Sequence, residues 1–353
     1  MHLEGAIRPR RLLQVIRRNG LHPHLQTLDD LAPLFHHADF AQFLEHFRFV
    51  VLCLRRVEDV HDVALDLFRD LAAQQVVYAE VIFSAAAFVR AGMPLDALLD
   101  AVSRAEATAV LEAQASESAV PPAATAPGEA TAPREAGTPH FNLVLDVVRN
   151  FGAEAARVHV AEAIRLRHPR VVGIHLGGDE VGYPARDFAA AYAMAAEAGL
   201  GCAAHAGEAA GASSVRDAVD VLGARRIGHG IRAVEDPDLV RELADRNIVL
   251  EVCPTSNLRT GVVSHLGAHP LPALLLAGVR ATLGADDPSF FDTSLTSELE
   301  LAHAQLGLDL ATLDACTEHG LRAAFIPASE RVARLNGLRQ RRLQARVAAG
   351  LTA

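Results

Sequence analysis

Four short clusters in this sequence hold residues of the kinds that bind metals and move protons. They are His2-Leu-Glu4-Gly5, His205-Ala-Gly-Glu208, Gly228-His229-Gly230 and Gly284-Ala-Asp286-Asp287-Pro288. A neutral imidazole and a carboxylate are both good zinc ligands. A carboxylate three residues beyond a ligand, as Glu208 is beyond His205, can reach a water on the same metal and shuttle its proton. Asp286 and Asp287 set two negative charges side by side, which is costly unless a cation or hydrogen bonds satisfy them. The glycines flanking His205, His229 and Asp286 let a ligand come close to the backbone. Taken singly, each cluster has an ordinary reading. With 17 histidines in the chain, one of them is more often a surface or core residue, and Asp-Asp-Pro is more often a turn or helix start. Their joint order at the ends of strands separates them from that background.

The elements that must carry these clusters are short apolar runs alternating with longer amphipathic segments. Residues 76–84, 141–148, 171–177, 201–205, 226–229, 248–253 and 280–284 read as buried strands. Residues 95–112, 154–167, 185–198, 213–222, 236–246 and 270–277 read as helices between them. Strands that are continuously apolar, rather than alternating, suit a parallel sheet covered by helices. Seven such strands, with the remnant of an eighth at the start, predict an α/β fold: a (β/α)8 TIM-type barrel with a truncated first strand and extra C-terminal helices. A doubly wound open sheet is the competitor, but no GxGxxG or phosphate loop follows an early strand. The four clusters then fall at the C-terminal ends of strands, the face on which such barrels do chemistry. Residues 1–353 read as a single barrel domain. Residues 114–139, rich in Ala, Pro, Thr and Glu, read as a disordered insertion on the opposite face. Residues 329–347 read as an Arg-rich helix with Ser329 as its N-cap.

Composition excludes several alternatives. The 353 residues carry a formal net charge of −10, which argues against nucleic-acid binding through a basic face. All 33 basic residues counted as Lys+Arg are arginine. Schiff-base lysines, P-loop lysines and a carboxylated lysine bridging two metals are thereby ruled out. The four cysteines form no CxxC pair, so a disulfide framework or cysteine zinc site is not expected. No signal core or membrane span is evident, and the expected compartment is the cytoplasm.

The ordered set HLEGA, VVGIHLGGDE, HAGE, RIGHG, EVCPTSN and GADDP resembles the adenosine deaminase family across nearly the whole chain. The resemblance implies a metal-dependent amidohydrolase barrel with one Zn2+ per chain. It implies His2, His205 and Asp286 as zinc ligands, and Glu208 as the acid/base that protonates purine N1. His229 matches the residue that orients and stabilises the attacking hydroxide. Asp287 matches the residue that bonds purine N7, Gly178 the one whose backbone meets N3, and Glu4 the one at the ribose 5′-hydroxyl. The implied reaction is hydrolytic deamination of a 6-aminopurine nucleoside, adenosine to inosine plus ammonia. A modified adenosine such as aminodeoxyfutalosine is the second substrate expected, ahead of free adenine. A catalytically impaired purine-binding scaffold is the non-enzymatic alternative.

Three positions depart from the family pattern. The family opens its site with His-x-His, and here Met1 stands at x, leaving the metal one ligand short. The expectation is that Met1 is an internal residue of a longer natural chain. The second departure is His175, where many relatives carry Asp. It reads as a barrel filler, with a role beside the metal ligands as the alternative. Ile82 also stands where many adenosine-specific relatives place Arg.

Overall fold

The computed structural model describes residues 1–118 and 140–350. Seven strands form one curled sheet: β1 (Tyr78–Phe83), β2 (His140–Asp146), β3 (Val171–His175), β4 (Gly201–Ala206), β5 (Arg226–His229), β6 (Val249–Val252) and β7 (Arg280–Leu283). Their spatial order is their chain order, and every neighbouring pair is parallel. Parallel neighbours in sequence order require a crossover on one side each time, and the right-handed crossover closes such a sheet on itself. Each predicted strand is present within two residues of its expected ends. Their apolar side chains are buried both inside the sheet and beneath the surrounding helices, which is why they read as unbroken apolar runs.

The place of an eighth strand, between β7 and β1, is taken by three residues. His2 forms a single parallel bridge with Ile82. The Ile82 N–H donates to the Met1 carbonyl at 3.0 Å, and the Leu3 N–H donates to the Ile82 carbonyl at 2.8 Å. On the other side the His2 N–H donates to the Asp286 carbonyl at 2.8 Å. Met1–Leu3 therefore joins both edges at the C-terminal end of the barrel, and no ladder joins β7 directly to β1 among the described residues.

The opposite end is closed by a buried ionic cluster. Arg226 of β5 pairs with Glu80 of β1 and, at 2.9 Å, with Glu251 of β6. The Phe325 ring lies 3.9 Å from the Arg226 guanidinium. It enters the barrel because Gly173 and Gly201 carry no side chain: a Cβ at Gly173 would stand 2.7 Å from the ring, and one at Gly201 closer still.

Two expectations are corrected. The helix from Leu95 continues to Ser118, so the compositional change at 114 does not end it; residues 119–139 lie outside those described. The C-terminal helix spans Ala328–Ala348 and follows Pro327, with no side-chain cap. Proline's fixed backbone suits the entry to a helix, so the first turn begins ahead of Ser329, which lies inside it. No helix among the described residues is long and apolar enough to cross a membrane.

Candidate active site

Every strand sends polar groups from its C-terminal end toward one centre. The register of β4 and β5 sets His205 opposite Gly228 and Ala206 opposite His229. Gly228 has no side chain, and the His205 ring occupies the space a Cβ would take. His229 and Asp286 both have left-handed backbones, with φ of 59° and 53°. Non-glycine residues avoid that region unless the surroundings enforce it, and such strain concentrates at functional sites.

His2, His205 and Asp286 converge. Nε2 of His2 lies 3.1 Å from Nε2 of His205 and 3.6 Å from Oδ1 of Asp286. Two ligand atoms at ~2.0–2.1 Å from one tetrahedral zinc are ~3.3–3.4 Å apart. The three residues thus have the donor types and the spacing for such an ion, and all their ligand atoms lie within 4.8 Å of one another. Burial holds the His2 imidazole down to about 4 and that of His205 well below its ordinary range. Both rings are therefore neutral near pH 7, the form that ligates.

Glu208 and His229 sit beside this group. Nε2 of His229 is 3.4 Å from Oε2 of Glu208 and 3.7 Å from Oδ2 of Asp286. Burial, with the nearby charges of Asp286 and Glu180, raises Glu208 to about 7, although His229 opposes the shift. A carboxyl tuned to that range can carry a proton at neutral pH. Asp287 is pushed well above the carboxylate range by burial and by Asp286, and its Oδ1 has no hydrogen-bond partner. Glu4 is fully buried, accepts from the Ser84 N–H at 2.9 Å through Oε1 and leaves Oε2 unpartnered. Burial raises it to about 8. Gly178 has φ of 99°, and a side chain there would collide with Asn150. All eight residues singled out in the sequence thus lie at the same end of the barrel. His175 joins them: its Nε2 is 3.0 Å from Nδ1 of His205, and its Nδ1 is 3.6 Å from Asp146. The filler reading of His175 gives way to the alternative, a group fixing the His205 ring.

Other residues hold this centre in place without having stood out in the sequence. The Glu180 carboxylate accepts the backbone N–H groups of Gly207, Glu208, Ala209 and Ala210 at 2.6, 3.1, 2.7 and 2.9 Å. The buried Arg149 donates to the His205 carbonyl and, at 2.7 Å, to that of Tyr183. The segment after β4 is thus gripped from both sides. The Ser256 hydroxyl donates to Oδ2 of Asp286 at 2.8 Å, and Asn257 Nδ2 lies 3.0 Å from His229 Nδ1. Glu180, Ser256 and Asn257 lie within the GGDE and PTSN stretches, so their motifs were a signal. Arg149 had none. Above His2 lies the edge of the Phe47 ring, 6.1 Å between centroids, from the helix Phe40–Cys53.

Comparison with known proteins shows similarity along nearly the full chain. The family model described as adenosine deaminase matches residues 1–340. The aminodeoxyfutalosine deaminase of Acidothermus cellulolyticus is 37% identical over 316 residues, covering 88% of this chain and 82% of that protein. The adenine deaminase of Chelativorans sp. is 36% identical over 338 residues, covering 94% of each. Among solved structures, an adenine deaminase from Arthrobacter aurescens superposes with a TM-score of 0.84 at 26% identity, covering 96% of both chains.

Proposed function

Because the chain belongs to the adenosine deaminase family, whose members hydrolyse C–N bonds, we propose that it deaminates a 6-aminopurine nucleoside, with adenosine as the reference substrate. The observation that carries this reading is the pairing of Glu208, raised to about 7, with His229 at 3.4 Å, against the cluster of His2, His205 and Asp286. In this reading His2, His205 and Asp286 hold one zinc, which supplies a water activated near neutral pH.

The protein's own groups account for the rest. Water adds at C6 and the C6–N bond breaks, so that the purine leaves with oxygen at C6 and nitrogen departs as ammonia. Purine N1 gains a proton during the addition, and the neutral Glu208 carboxyl is placed to give it. His229 presents a ring nitrogen to the attacking oxygen. Purine N7 can only accept a hydrogen bond. Asp287, which burial and the neighbouring Asp286 push well above the carboxylate range, can donate one in its protonated form. Gly178 offers its backbone to the purine edge, in a left-handed conformation that a side chain would strain.

Glu4 supports a nucleoside over a free base. It is buried and protonated, with Oε2 unpartnered, so it can both donate to and accept from a sugar hydroxyl. A second reading, a 5′-modified adenosine such as aminodeoxyfutalosine, is favoured by the 37% identity to the Acidothermus protein. Ammonia release from adenosine, aminodeoxyfutalosine and adenine at equal concentrations decides among the three. Preference for adenine overturns the nucleoside reading. Glu208→Gln should lower kcat by ~100-fold or more while zinc content stays unchanged, because only proton transfer is lost. Near-normal turnover by this variant removes Glu208 from its role.

A further inference from the structure

His229 can hold its attacking-oxygen partner only if the correct ring nitrogen carries the proton, and a chain of buried groups behind it determines which one does. The chain begins at the Leu271 N–H, which can only donate; it meets Nδ1 of His269 at 3.1 Å. A neutral His269 therefore has its proton on Nε2, which lies 3.2 Å from Oδ1 of Asn257. Only the amide oxygen can accept there, so the Asn257 NH2 group faces the other way. It meets Nδ1 of His229 at 3.0 Å and leaves that nitrogen no role except acceptor. The proton of a neutral His229 is then on Nε2, the atom that faces Glu208 and Asp286. Every member of the chain is buried, and each link is a direct hydrogen-bond contact. His269 is held neutral by burial, which lowers it to about 4.

We infer that Asn257 and His269 are positioning residues that fix His229 as its Nε2–H tautomer, with the direction set by the Leu271 backbone. This rests on the role given to His229 above. The His269 ring spends its two nitrogens on Asn257 and the Leu271 N–H, so it orients His229 through the Asn257 amide. Loss of His269 leaves that amide free to rotate and to present its oxygen to His229, which then takes the proton on Nδ1 and turns a lone pair toward the reacting centre.

Nitrogen NMR of the zinc-loaded, 15N-histidine-labelled protein reads the tautomer directly, with His229 assigned by difference from His229→Gln. The expected result is an Nε2–H signature in the wild type and a substantial Nδ1–H population in His269→Leu. In that variant kcat should fall by ~10-fold or more, while KM and zinc content stay within ~3-fold, as expected when the wrong nitrogen is protonated. His269→Gln, which can still donate to Oδ1 of Asn257, should recover most of the loss. An Nδ1–H signature in the wild type overturns the inference, and that measurement stands even if His269→Leu does not fold. Wild-type tautomer and kcat in His269→Leu overturn it equally. Failure of the deamination reading appears separately, as absence of turnover on every purine with the tautomer still in place.

Discussion

Replacing Gly228 with alanine tests whether the His205 ring is placed by the space left on its neighbouring strand. An added Cβ would stand 2.7 Å from Cε1 of His205 and closer still to Nδ1. Ordinary contact begins near 3.4 Å, so the ring must retreat by at least ~0.7 Å. Zinc–ligand distances tolerate about 0.2 Å, and retreat is obstructed because His175 already sits 3.0 Å from Nδ1. The displaced ring should weaken zinc binding by about 10–100-fold, or ~1.4–2.7 kcal/mol. Overpacking should cost ~1–3 kcal/mol of stability in addition. Competition with a chromophoric chelator gives the zinc affinity, and thermal unfolding of the metal-free protein isolates the packing cost. Gly337→Ala serves as the control, since a Cβ there meets nothing within 4 Å. Wild-type zinc affinity and kcat in Gly228→Ala would refute the account of how His205 is held.

Gly5→Ala directs its Cβ against Asp287 instead, 2.7 Å from the backbone Cα and closer to the carboxyl. It should raise KM for the purine by ~10-fold or more with zinc content intact, a split that steady-state kinetics and metal analysis resolve. Glu4→Gln should change the pH dependence of stability. The wild-type carboxyl keeps its proton to about 8 when folded, against 4.5 as the ordinary value. The unfolded chain therefore releases that proton first, and stability falls as pH rises from about 4.5 toward 8. The variant has nothing to release there, so its Tm relative to wild type should rise across that window, as melting at several pH values would show. Arg226→Ala leaves Glu80 buried without its cation and should cost ~3–5 kcal/mol in denaturant unfolding, with the floor of the barrel, not the metal site, taking the damage.

The strands were legible because parallel strands buried on both faces leave a simple record, an uninterrupted apolar run such as residues 248–253 around β6. The candidate metal ligands stood out because His205 and Asp286 fall just where those runs stop. What escaped reading is made by contacts between distant segments. His269 has no local pattern, since its meaning arises from Asn257 on one side and a backbone N–H on the other. Arg149 is one arginine among many in the sequence; only the fold brings it under the His205 carbonyl. Phe325 likewise acquires its position from two glycines more than a hundred residues earlier. Ser329 has the capping type but not the place, because the chain enters the helix at Pro327, two residues earlier.

The join that Met1–Leu3 makes with Ile82 and Asp286 ties the candidate metal cluster to the closure of the ring. His2 contributes its side chain to the candidate metal cluster and its backbone to the join, so an ion that grips the imidazole also clamps the seam. Occupancy at a hundred times the dissociation constant is worth ~2.7 kcal/mol to whatever state binds it, and with His2 as a ligand that state would be the closed ring. Chelation should therefore quicken deuterium uptake at the Leu3 and Ile82 amides before it is felt at β4 or β5.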